Sequence, residues 1–137
     1  MAQPTAEQIG RVQLFEGLEK RELSRLANAF KERRYTAGST VASEGETGAG
    51  FFVIAEGTAS VSVAGEKRGA LQAGDYFGEI ALIDAGERSA TITADTDMVC
   101  YGLTQWEFRP IVETDGRVAW KLLQALAKKL RAAERRS

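Results

Sequence analysis

Gly78, Glu79, Arg88 and Ser89 stand within a few turns of chain of one another and together suggest one kind of chemistry. Arg88 carries a planar guanidinium fork that can hold two oxygens of an anion. Gly78 has no Cβ, so a ligand can approach its backbone closely. The stretch Gly78–Leu82 has the length of a single helical turn, closed by Ala85-Gly86. The start of such a turn offers N–H groups with no acceptor in their own helix, which suits an anion. Ser89 adds a hydroxyl. Glu79 is the odd member, because a carboxylate beside an anion is unfavourable unless it accepts from a neutral part of the same ligand. A sugar hydroxyl is such a part. The residues therefore ask for a phosphate and a hydroxyl a few ångström apart, joined to something apolar.

Composition narrows what else the chain can do. Its 137 residues hold no histidine and one cysteine, Cys100. That excludes Ser–His–Asp and Cys–His nucleophile systems, an internal disulfide and nearly every zinc or non-haem iron site. A metalloenzyme on a similar roll of strands is disfavoured on the same ground. No apolar run reaches a membrane span, and the opening MAQPTAEQIG has neither the basic nor the apolar region of a signal peptide, so a cytoplasmic location is expected. The net charge of −1 hides an asymmetry: residues 1–116 carry 11 Lys/Arg against 18 Asp/Glu, whereas 117–137 carry seven against Glu134 alone. The acidic body argues against nucleic acid as a partner. The basic end could meet an anion, an acidic partner or only water.

The elements that must position these residues are legible as an α+β order. Residues 5–15 show helical spacing behind a capping Thr5, and Glu19–Phe30 puts Leu23, Leu26, Ala27 and Phe30 on one face. Arg33–Tyr35 breaks the periodicity and Ala37-Gly38 marks a turn. Strands are expected over Thr40–Ala42, Phe51–Ala55, Thr58–Val63, Arg68–Leu71, Ala90–Ala94 and Met98–Leu103, with glycines between them as in an antiparallel β-roll. Helices follow over Trp106–Val112 and Gly116–Arg135. The expected organisation is a single domain with a helical segment over 1–36, a β-roll over 37–104 and C-terminal helices over 105–137. Trp106, Phe108, Met98 and Cys100 read as core, and Trp120 as packing or as a base-stacking ring. Ala119, Leu123, Leu126, Leu130 and Ala133 form a narrow apolar seam, a weak signal for a homodimer through the last helix.

The stretch Phe77-Gly78-Glu79-Ile80-Ala81-Leu82-Ile83, followed by Arg88-Ser89-Ala90, resembles the phosphate-binding cassette of cyclic-nucleotide-binding domains. Such domains occur in catabolite-activator-type regulators, protein-kinase regulatory subunits and cyclic-nucleotide-gated channels. Leu14-Phe15-Glu16-Gly17-Leu18, Tyr35-Thr36-Ala37-Gly38, Glu44-Gly45-Glu46 and Phe51–Gly57 stand where the family has similar segments, so the likeness covers nearly the whole chain. It implies a jelly-roll-like β-roll, a short cassette helix within 75–90 and C-terminal helices that act as a lid. It implies further that Glu79 accepts from the ribose 2′-hydroxyl and that Arg88 pairs with the cyclic phosphate. Gly78, Ile80, Ala81, Ser89 and Ala90 would complete the phosphate and ribose site. Val61 and Leu71 match base-contacting strand positions, with Leu126, Lys129 and Leu130 reaching the base from the lid.

The function expected is therefore a non-catalytic sensor of a cyclic nucleotide, cAMP first and cGMP as the alternative, with no cofactor. Ser89 does not decide between the two bases. A DNA-binding regulator is disfavoured because no helix-turn-helix follows before Ser137. A piece of a channel, enzyme or transcription factor, and an interaction domain that has lost its ligand, are the remaining alternatives. An effector protein reading the lid would be a further partner.

Overall fold

Two antiparallel four-stranded sheets face each other in a computed structural model that describes residues 3–47, 50–84 and 86–136. The strands are β1 (Lys31–Tyr35), β2 (Thr40–Ala42), β3 (Gly50–Glu56), β4 (Thr58–Val63), β5 (Glu66–Gln72), β6 (Tyr76–Phe77), β7 (Thr91–Ala94) and β8 (Met98–Thr104). One sheet runs β1-β8-β3-β6 and the other β2-β7-β4-β5. Before the sheets come α1 (Ala6–Gly10), a 3-10 turn at Gln13–Phe15 and α2 (Lys20–Ala29); after them come α3 (Gln105–Thr114) and α4 (Gly116–Arg136). This is the expected β-roll with flanking helices.

β3 shows how the roll is sandwiched. Its near-continuous apolar run, Phe51-Phe52-Val53-Ile54, is what a strand covered on both faces requires. Phe51 and Val53 join the helices' core with Phe15, Leu26, Phe30, Phe108, Val118 and Leu122. Ile54 and Phe52 instead pack between the sheets with Phe77, Ile92, Met98 and Cys100. Phe15, Phe30 and Phe51 meet edge-on or tilted with ring centroids 6.1–6.5 Å apart. Tyr76 extends that cluster toward the cassette, 5.6 Å from Phe51.

Three expectations need correction. Arg33–Tyr35, read as a break, belongs to β1, so the roll begins at Lys31, inside the segment taken as helical. Its charged sequence hides a strand that exists because it pairs with β8, Arg33 opposite Cys100. Charges on an edge strand also discourage further pairing. The single helix expected over 5–15 is α1, closed by Arg11, followed by the separate 3-10 turn. Trp106 is 68% exposed while Phe108 is buried. Residues two apart on a helix point about 200° away from each other, so only one of the pair can face the core.

Candidate nucleotide site

The cassette is a strand end, a left-handed turn and a short helix. β6 stops at Phe77, Gly78 takes φ +84°, and a 3-10 helix spans Glu79–Leu82. A Cβ on Gly78 would lie 2.5 Å from the Gly50 carbonyl oxygen and 2.7 Å from Arg88 Nη1, so both the φ and the space require glycine. Ile83 and Asp84 donate back to the Ile80 carbonyl at 3.0 and 2.8 Å and close the turn. Ala81 lies in this helix, and its side chain falls outside the described residues, as does Ala85.

Arg88 returns to the cassette on a segment held from the opposite side. Its N–H donates to Glu46 at 2.8 Å, and its carbonyl accepts from Gly45 at 2.9 Å. This gives the Glu44-Gly45-Glu46 segment a task, which is to fix the backbone that carries the guanidinium. Arg88 Nη2 donates to the Gly50 carbonyl at 2.8 Å, which orients the fork against Gly78. Among the described residues it has no carboxylate partner. Burial pulls its pKa below the usual guanidinium value, and Tyr35 pushes the other way. A half-buried cation with no counter-ion, facing a cavity, attracts an anion.

Glu79 lies on the same cavity and is 3% exposed. Its Oε1 accepts from Lys129 Nζ of α4, while its Oε2 is buried with no hydrogen-bond partner among the described residues. A buried carboxylate oxygen left unpaired is costly, so this atom calls for a donor. Tyr76 sits beside the pair, with Lys129 Nζ 5.8 Å from its ring centroid. Burial, and then the nearby Glu79 charge, raise the pKa of the Tyr76 phenol.

The cavity holds about 380 Å³ and brings together Val61, Leu71, Gly78, Glu79, Ile80, Arg88, Ser89, Ala90 and Lys129. That volume falls in the range of small-molecule sites. Val61 and Leu71, from β4 and β5, supply apolar lining to the cavity. Two expected lid residues lie elsewhere: Leu126 packs against the helices' core and Leu130 is 63% exposed. Lys129 reaches the cavity, but through Glu79. Tyr76 was not singled out from the sequence, although its place just before Phe77-Gly78 was a signal. The Gly50 carbonyl left no signal, because a backbone acceptor has no residue type.

With this geometry in place, comparison with known proteins decides the family. Residues 32–115 match the family described as cyclic nucleotide-binding domain. The chain belongs to that family. A cAMP-dependent protein kinase regulatory subunit from Mycosarcoma maydis is 42% identical over 87 residues, covering 61% of this chain and 17% of that protein. A cGMP-dependent protein kinase from Toxoplasma gondii is 36% identical over 92 residues, covering 67% of this chain and 9% of that protein. Among solved structures, the N-terminal domain of a transcriptional regulator from Streptomyces coelicolor superposes with a TM-score of 0.81 at 26% identity, covering 93% of this chain and 92% of that one. The cyclic nucleotide-binding domain thus spans less than a fifth of either kinase-type relative. It is a binding domain of the regulator type. Among the described residues no helix is long and apolar enough to cross a membrane, and no cluster could hold a metal ion.

Proposed function

We propose that the cavity binds a 3′,5′-cyclic nucleotide, cAMP in preference to cGMP, and that the domain is a cytoplasmic, non-catalytic sensor. One observation carries the reading. Among the described residues, a guanidinium with no carboxylate partner and a buried carboxylate oxygen with no hydrogen-bond partner line one cavity together with Gly78. Phosphate and sugar hydroxyl are the two groups that satisfy them. Arg88 pairs with the cyclic phosphate, helped by the amides of the cassette helix and by Ser89. Glu79 Oε2 accepts from the ribose 2′-hydroxyl, and the base lies along Val61 and Leu71. Signalling follows from a difference in ligand affinity between positions of α4, whose Lys129 sits on the ribose carboxylate. Trp120, Leu123 and Leu130, all exposed on α4, support a further contact there, with a second copy or an effector.

The ribose assignment is tested with cAMP and 2′-deoxy-cAMP on wild type and Glu79→Gln. Removing the 2′-hydroxyl should cost wild type about 1.5–3 kcal/mol, roughly 10- to 150-fold in affinity, because a hydrogen bond to a charged acceptor is lost. In Glu79→Gln the same removal should cost much less. An equal loss in both proteins would refute the role given to Glu79.

A further inference from the structure

Ion pairs of Arg117 and of Lys129 tie α4 to the body of the domain at two places along the helix. Lys129 meets Glu79 near the far end, and Arg117 meets the N-terminal segment in the first turn. Arg117 Nε lies 3.3 Å from Glu22 Oε1, its Nη1 3.7 Å from Glu19 Oε1, and its Nη2 donates to the Gly17 carbonyl at 3.2 Å.

Arg117 is a poor local choice, and Glu22 is the partner that offsets it. Arg117 puts a cation at a helix N-terminus, where the backbone dipole disfavours positive charge. Glu22 is 1% exposed and accepts the Glu19 N–H at 2.8 Å. A neutral glutamine could accept that bond too, so the buried charge itself serves the start of α2 and Arg117. Its other oxygen, Oε2, has no hydrogen-bond partner among the described residues. The Glu22 carboxylate offsets the unfavourable placement of Arg117.

Their position gives the pair a use. α3 and α4 are joined through Asp115 alone, in extended backbone with φ −137° and ψ 97°. α2 grips both sides of this joint. Arg25 donates to Thr114 Oγ1 at 2.6 Å and to the Pro110 carbonyl at 3.3 Å on α3, while Glu22 holds Arg117 on α4. Lys129 lies about 18 Å along the helix from Arg117. A tilt of about 10° at the joint would carry that end about 3 Å, enough to separate Lys129 from Glu79.

We propose that Glu22 and Arg117 are positioning residues that set the tilt of α4, and through it the approach of Lys129 to Glu79 and the affinity of the nucleotide cavity. The affinity part rests on the cyclic-nucleotide reading; the tilt does not.

The experiment uses the full chain with Glu22→Gln, Arg117→Gln and the double variant. Glu22→Gln keeps the acceptor for Glu19 N–H, whereas Arg117→Gln leaves the buried Glu22 carboxylate without its cation, so the Tm of each variant is measured beside that of the double variant, in which neither charge is left alone. Nitroxide labels at Lys67→Cys on β5 and Arg131→Cys on α4 report the tilt, while the buried Cys100 stays unlabelled. Both single variants should shift or broaden the distance distribution and weaken cAMP binding roughly 2- to 5-fold, no more than Lys129→Met does, and the double variant should be no worse than the weaker-binding single. Unchanged distances, or losses that multiply in the double variant, would overturn the proposal. So would a lower Tm with distances and affinity both unchanged, since that describes structural support alone. If wild type binds neither cAMP nor cGMP, the functional reading fails, and the distances still decide the tilt.

Discussion

Replacing Gly78 by alanine tests the cassette at its tightest point, and two other glycines separate the terms. Gly74 has φ +96° with nothing within 4 Å of an added Cβ, so Gly74→Ala bears only the left-handed backbone cost, about 1 kcal/mol. Gly57 has φ +95°, and its added Cβ would meet the Asp97 carbonyl and lie 2.9 Å from Met98 Cγ, neither of which lines the cavity. Gly78→Ala combines φ +84° with contacts at 2.5 Å to the Gly50 carbonyl and 2.7 Å to Arg88 Nη1. Adding an overpacking cost of about 1–3 kcal/mol gives about 2–4 kcal/mol for either crowded site. Urea denaturation should therefore rank Gly74→Ala as mild and the other two as severe. Titration with cAMP should then split the severe pair. Gly57→Ala should bind as wild type does, while Gly78→Ala should lose at least about ten-fold, because the new methyl displaces the guanidinium from Gly50. A Gly78→Ala protein as stable as Gly74→Ala, with wild-type affinity, would refute the reasoning.

Lys129→Met should lower cAMP affinity about 2- to 5-fold by leaving Glu79 without its ammonium partner. The difference from wild type should shrink in high salt, since the Lys129 side chain is 53% exposed and its charge is screened. Equal affinity at low salt would contradict a lid role for Lys129. Burial pushes the Cys100 thiol up to about 11 from its ordinary 9.0. At pH 8 its thiolate fraction is about one hundredth of that of an ordinary thiol, so native protein should resist iodoacetamide and react only when denatured. Native-state alkylation at the denatured rate would show that Cys100 is not buried in the roll.

The parts of the fold legible in the sequence were those written in side-chain period and glycine placement. Thr58–Val63 alternates, and it is a strand between two others. Gly78–Leu82 reads as one turn because glycine alone suits its first residue. β1 was not legible, because Lys31-Glu32-Arg33-Arg34-Tyr35 has no apolar alternation and owes its form to β8. Trp106 misled because an aromatic in a helix suggests core, whereas its phase relative to Phe108 decides. At the site, Arg88 and Glu79 were recognisable by type and spacing. What orients them was not: Gly50 acts through its carbonyl, and Lys129 reaches Glu79 across fifty positions of chain.

The central claim is that Arg88 and Glu79 form a cyclic-nucleotide site. Calorimetric titration tests it most directly, with cAMP and cGMP added to wild type and Arg88→Ala after unfolding and refolding to remove any co-purified nucleotide. Wild type should bind at least one of the two at micromolar concentration or tighter. Arg88→Ala should lose about 2–5 kcal/mol, roughly 30- to several-thousand-fold. Well-folded wild type that binds neither nucleotide, or an Arg88→Ala protein that binds as wild type does, would contradict the account.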